Sequence, residues 1–154
     1  MTIAELSRID RTVEIQATPE RIWRALTRAE ELSAWFQVKI EGTIAPGCEA
    51  WMTSVHDSCA GERFRVLFVE MTPPVRFVWQ WHPGAVDPTV DYSNEPRTTV
   101  TFTLTPSGTG TLLRVVETGF DEVSLARRAK VYRDNDQGWA EVVEWLQQYA
   151  EKER

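Results

Sequence analysis

The sequence predicts an α+β fold: a curved antiparallel sheet of about six to seven strands wrapped around a long C-terminal helix, with two short helices after the first strand. Three observations carry this. Ile9, Val13 and Ile15 alternate with polar residues, which marks a first strand with one face inward. Short apolar runs punctuated by turn signals fill residues 38–118, the pattern of an antiparallel meander. Trp139, Val142, Val143, Leu146, Tyr149 and Ala150 then recur at helical spacing, and this apolar stripe must pack on the concave face of the sheet.

The first strand carries Arg11 on its inward face, an exception among apolar neighbours. Thr18-Pro19 supplies an N-cap followed by the proline that helices favour at their first position, predicting a helix from Pro19 to about Thr27. Ile22, Trp23 and Leu26, then Leu32, Trp35 and Phe36 after a short break, make an apolar face for two helices that form a V-shaped cradle under the sheet. Pro46-Gly47, Ala60-Gly61, Pro73-Pro74 and Ser107-Gly108 mark turns between strands. The clearest strand is Thr98 to Thr105, where Val100, Phe102 and Leu104 alternate with threonines. His82 to Pro96 holds three prolines and few apolar residues, so it reads as a loop longer than a hairpin turn. Asp134 or Asp136 is available to cap the last helix, with 123–133 as a helical lead-in or bend. No repeat, low-complexity tract or linker divides residues 1–154, which are expected to form one domain.

A chain of 154 residues buries roughly two-thirds of its unfolded surface, enough for one substantial core. Seven Trp is a high count at this length, and wide indoles line cavities and interfaces as well as filling cores. A net charge of −6 and a pI near 5.0 argue against nucleic acid as a partner, and the run Arg127-Arg128-Ala129-Lys130 is too short to reverse that. No stretch of about 18 apolar residues is present to span a membrane. Residues 1–5 lack a basic region followed by an apolar core, so a cytoplasmic protein is expected. Cys48 and Cys59 have no CxxC spacing and read as reduced thiols. His56 and His82 belong to no HxH or HExxH spacing, so no metal site is expected. GxSxG, Walker A and GxGxxG are absent, which removes the best support for hydrolase, nucleotide and dinucleotide readings; no cofactor is expected.

The run from Arg11 through Thr18-Pro19-Glu20-Arg21-Ile22-Trp23 to Thr27, followed by Leu32-Ser33-Ala34-Trp35-Phe36, resembles the opening of the START-like (SRPBCC) superfamily. The nearer resemblance is to its bacterial branch related to the C-terminal domain of the activator of heat-shock-protein-90 ATPase. Pro73-Pro74 before Phe77-Val78-Trp79, Gly110-Thr111-Leu112-Leu113, Gly119-Phe120 and Gly138-Trp139 extend it over nearly the whole chain. Pro46-Gly47-Cys48 stands where a Gly-Gly pair is common, a departure confined to one turn. The resemblance implies a helix-grip fold with a cavity between sheet and long helix. It also implies that Gly138 lets that helix approach the sheet closely. Relatives bind lipids, sterols, polyketides or other apolar molecules, some cyclise or dehydrate polyketides, and others act as co-chaperone modules.

Strand parity nominates the residues facing that space. Phe77, Trp79 and Trp81 share one strand face and Phe64, Val66 and Phe68 another, joined by Val100, Phe102, Leu113, Val115, Trp139 and Val143. The candidate ligand contacts are Trp35, Phe64, Phe68, Phe77, Trp79, Trp81, Phe102, Val115, Glu117, Trp139 and Val143, with Trp35, Trp79 and Trp81 foremost. These residues either fill a core or bound a cavity on the order of a few hundred Å³. Glu117 follows Leu113 and Val115 inward, and a buried charge needs a partner. Arg11 and Glu117 either pair with each other, or Glu117 orients a ligand hydroxyl or exchanges a proton. His56-Asp57 beside Ser58 and Cys59 reads as a turn, and no catalytic residue is assigned. Trp145 lies roughly 240° around the last helix from Trp139 and marks either a partner surface or packing against the preceding segment.

Three functions are compatible with these features: binding of a small hydrophobic or aromatic molecule, a polyketide cyclase- or dehydratase-like enzyme needing Glu117 with Arg11 or His56, and a chaperone-associated module. A homodimer or a chaperone partner accompanies the last.

Overall fold

The structure, a computed structural model, describes residues 7–152; residues 1–5, on which the leader reading rests, lie outside it. A first strand β1 (Arg8–Ile15) leads into helices α1 (Pro19–Thr27) and α2 (Ala29–Phe36). Strands β2 (Val38–Gly42), β3 (Glu49–Ser54), β4 (Arg63–Thr72), β5 (Arg76–Trp81), β6 (Thr98–Ser107) and β7 (Gly110–Thr118) follow, and helix α3 (Leu125–Lys152) closes the chain. All seven strands form one antiparallel sheet in the order β1-β7-β6-β5-β4-β3-β2. The first two strands thus lie at opposite edges, and α1 and α2 carry the chain between them.

Local chemistry sets the joints. Thr18 Oγ1 accepts the Arg21 backbone N–H at 3.2 Å, and Pro19 opens α1 as its first residue. Arg28 is extended and separates α1 from α2. The indole of Trp35 donates to the Ala25 carbonyl at 2.7 Å and fixes the angle between the two helices. Gln37, at φ 58°, ends α2 and turns the chain into β2. A register shift between Phe68 and Glu70 on β4 bends that strand.

Inward-facing residues alternate as parity requires. Val66, Phe68, Phe77, Trp79, Val100, Phe102, Leu113 and Val115 are all at most 1% exposed. Phe77 stacks on Phe68 at 5.8 Å and on Phe102 at 5.9 Å, with Trp79 edge-on to all three. The middle of the concave face is therefore filled with rings.

Helix α3 runs unbroken for 28 residues, which corrects the expected lead-in and capped helix. Asp134 and Asp136 sit inside it and serve as ion-pair partners of Lys130 and Arg11 instead of caps. The polar residues at 133–137 occupy a stretch of helix whose apolar neighbours hold it down, so local polarity does not end it. The helix also covers the edge of β1. Tyr132 Oη donates to the Arg8 carbonyl at 2.9 Å, Gln147 Nε2 to the Glu14 carbonyl at 2.8 Å, and Glu151 accepts the Gln16 N–H at 2.9 Å. Side chains thereby occupy backbone groups that an edge strand leaves open to a second sheet.

Two glycines have opposite roles. A Cβ on Gly110 would lie 2.4 Å from the Ile15 carbonyl oxygen, so only glycine permits β7 to pass the end of β1. A Cβ on Gly138 would meet nothing within 4 Å, which corrects the reading of this glycine as a close-approach residue. Gly110→Ala should lower stability by about 1–3 kcal/mol through overpacking. Gly138→Ala should raise it by about 1 kcal/mol through helix propensity. Urea unfolding of the two variants checks the opposite signs.

Candidate functional site

Glu117 stands near the end of β7, paired with Val100 on β6 and Ile9 on β1, and its side chain is completely buried. Its carboxylate is met by four side chains from three directions. Trp81 Nε1, at the end of β5, and Thr98 Oγ1, at the start of β6, donate to Oε2, the former at 2.8 Å. Trp139 Nε1 donates to Oε1 at 2.8 Å, and Asn135 Nδ2, one helical turn earlier on α3, reaches both oxygens at 3.1 Å. Trp, Trp and Asn offer only N–H groups here, a donor set built for a carboxylate. None of its hydrogen-bond partners carries a positive charge.

The expected alternative of an Arg11–Glu117 pair is corrected. Arg11 does lie on the inward face of β1, but it reaches Asp136 on α3 at 2.9 Å and remains partly exposed. The length of its side chain lets it skirt the interior, where an unsolvated guanidinium would be costly. Burial pushes the Glu117 carboxyl above its ordinary pKa, opposed by the hydrogen bonds from Thr98, Trp81, Trp139 and Asn135.

Against the outer side of this cluster lies a cleft of about 100 Å³ between α3 and the sheet. Phe36, Trp81, Asp134, Asn135, Gly138, Trp139 and Val142 line it. Trp81 and Trp139 stand side by side with centroids 5.8 Å apart and planes inclined by 32°. Gly138 contributes open space where any side chain would intrude. The cleft is smaller than the cavity of a few hundred Å³ that the aromatic content suggests, because Phe68, Phe77, Trp79 and Phe102 occupy the central volume.

The candidate contacts therefore divide. Trp81 and Trp139 line the cleft and Glu117 stands directly behind them. Trp79 lies beneath, within 5.4 Å of the Trp81 ring and 6.3 Å of Trp139, and its buried Nε1 has no partner among the described residues. Phe64 packs edge-on against Trp81. Phe68, Phe77, Phe102, Val115 and Val143 belong to the filled core, and Trp35 is held in the α1–α2 joint against Phe36. Phe36, Val142, Asp134, Asn135 and Gly138 were not expected in the site. Phe36 and Val142 sit on apolar stripes legible in the sequence, but nothing local distinguishes the stripe position that faces a gap.

His56 does not approach Glu117. It stacks on Trp145 at 5.0 Å and holds the turn after β3 by accepting the Ser58 N–H at 3.2 Å. Trp145 is thus partly buried, packed against the core and covered in part by a strand-end turn. Cys48 and Cys59 are free thiols, the latter 3.0 Å from Ser54 Oγ. Among the described residues no group of three or more His, Cys, Asp or Glu is placed to hold a metal, and no helix is long and apolar enough to cross a membrane.

The pKa shift of Glu117 gives a signed expectation. With the folded pKa above the unfolded value of about 4.3, stability is greatest where the group is protonated and falls as pH rises through the folded pKa. Glu117→Gln turns an amide N–H toward donors and should lose about 1–3 kcal/mol near pH 4. The deficit should shrink as pH rises, since the variant lacks the titration. Urea unfolding of both proteins between pH 4 and 8 tests this; a deficit that grows with pH would mean that the four donors outweigh burial.

Comparison with known proteins places this geometry in a family. Residues 16–151 match the family described as Activator of Hsp90 ATPase homolog 1-like protein. The crystal structure of protein MLL2253 from Mesorhizobium loti is 30% identical, with 94% of this chain and 97% of that one covered at a TM-score of 0.72. The Aha1 dimer from Colwellia psychrerythraea shares 21% identity over 94% of this chain and 96% of that one, at a TM-score of 0.69. CalU16 from Micromonospora echinospora shares 20% over 95% and 77%, at 0.66. No curated protein matches the chain. With the family match spanning nearly all of the sequence and the seven strands gripping α3, the chain belongs to the Activator of Hsp90 ATPase homolog 1-like family.

Proposed function

We propose that this protein binds a small, largely apolar molecule in the cleft between the sheet and α3. One observation carries the reading: both indoles lining the cleft turn their N–H groups away from it, onto the buried Glu117, and offer it carbon surface. Rings fixed in this way lose little freedom when a ligand settles against them, which favours binding by preorganisation. A cavity of about 150 Å³ holds benzene, so this cleft of about 100 Å³ takes the end of a molecule or the edge of one ring, with the remainder outside.

The enzyme reading has less support. Glu117 is saturated by donors, while Arg11 and His56 are engaged elsewhere. The family's name and the Colwellia Aha1 dimer favour a second reading, a chaperone-associated module that forms a homodimer. Sedimentation of the purified protein across concentrations, and its effect on the ATPase rate of purified heat-shock protein 90, test that reading separately.

Native mass spectrometry should reveal a co-purifying small molecule, and toluene or indole should raise the melting temperature of the protein. A ligand at 100 times its Kd adds about 2.7 kcal/mol. Gly138→Leu places a side chain in the cleft and should abolish the shift while leaving the helix intact. A shift of equal size in the variant would locate binding elsewhere and defeat the proposal.

A further inference from the structure

We infer that the cleft selects an organic cation, a quaternary ammonium head group seated against Trp81, Trp139 and Phe36, with the Glu117 carboxylate behind the rings as its counter-charge. The inference rests on the cleft being a ligand site and names the class of ligand.

Charge is the first argument. Among the described residues Asp134 is the sole charged one of the lining, and it is acidic. Lys130 pairs with it at 2.6 Å, but that pair is largely solvent-exposed, and Lys130 itself is not part of the lining. Arg11, which reaches α3 from β1, is held by Asp136, and Arg133, the neighbour of Asp134 on α3, is exposed and outside the lining. The buried carboxylate of Glu117 has no cation among its partners, and three of the four residues holding it, Trp81, Asn135 and Trp139, are themselves walls of the cleft. A positive charge in the cleft would stand one side chain away from that carboxylate in a poorly solvated setting, where such attractions are strong.

The rings are the second argument. A cation over an indole face is attracted by the ring quadrupole, and Trp is the best of the aromatic partners. Both indoles here donate their N–H to a carboxylate, which polarises electron density onto the ring and strengthens that attraction. Three aromatic side chains and one carboxylate around a small space make a partial cage of the kind that holds alkylated ammonium.

Size and hydrogen bonding narrow the head group. Scaling from benzene in about 150 Å³, about 100 Å³ encloses roughly four heavy atoms, the content of a trimethylammonium group. A primary ammonium carries three N–H donors, whereas among the described residues the lining is mostly aromatic and apolar, with polar side chains only at Asp134 on the rim and at Asn135. A quaternary nitrogen carries no N–H. Cation binding also favours the ionised form of Glu117, so affinity should rise with pH as the raised pKa is crossed.

The test compares choline with 3,3-dimethylbutan-1-ol, which has the same shape without the charge, with toluene as an apolar probe. Indole N–H resonances of Trp81 and Trp139 in ¹⁵N-labelled protein report occupancy at the site itself. Choline should shift both saturably with a Kd at least tenfold below that of the neutral alcohol, more tightly at pH 8 than at pH 5, and Gly138→Leu should abolish the shifts. Asp134→Asn, on the exposed rim, should weaken choline severalfold without affecting the alcohol. If the alcohol binds as well as choline, or toluene binds and choline does not, the cation inference falls while the apolar site stands. If no probe shifts either indole, both fall.

Discussion

Glu117 enters the interior where β5, β6 and α3 converge, and its carboxylate gathers a donor from each. The charge costs desolvation, and four side chains repay it only if all are held in place at once. That requirement ties α3 to the paired ends of β5 and β6. Trp81 and Thr98 flank the long loop between β5 and β6, so the same carboxylate fixes both ends of that loop. Asn135 and Trp139, one turn apart, set the rotation of α3 about its axis. With the rotation set, Gly138 faces open space and Val142 completes the wall.

The aromatic content serves two ends in one cluster. Phe68, Phe77, Trp79 and Phe102 interlock at centroid distances of 5.0–6.4 Å and occupy the middle of the concave face. Trp81 and Trp139 continue the same array outward, to the point where α3 and α2 diverge from the sheet and packing stops. Rings cannot fill a tapering gap as aliphatic side chains can, so a residual cleft bounded by flat surfaces follows from the choice of residues. The orphaned N–H of Trp79 fits this picture: its ring is placed by stacking, with no acceptor in range.

The long helix is held differently on its two sides. Toward the sheet it contributes Trp139, Val143 and Leu146 to the core. Toward β1 it contributes Tyr132, Asp136, Gln147 and Glu151, which bind backbone groups or Arg11 along that strand. These contacts explain how a 28-residue helix with polar residues at its centre stays continuous.

Much of the fold was legible in the chain itself. The Thr18-Pro19 start, the two helices, the turn signals and the strand parity all depend on residues within a few positions of one another, and each was found where that chemistry put it. Parity also placed Glu117 and Arg11 on inward faces. What parity left open was their partners, because the choice between an arginine on β1 and a ring of indole and amide donors depends on how far α3 is rotated. The same holds for the cleft: Asn135 and Gly138 carry no local signal of a site, and the extent of filling by Phe68 and Trp79 depends on sheet curvature. Sequence by itself determined the elements, their inward faces and the supply of aromatic rings, since these follow from short-range pattern. Only the tertiary structure decided that the rings occupy the centre and leave a small cleft at one end, with a buried carboxyl held by neutral donors behind it, because both outcomes depend on contacts between residues far apart in the chain.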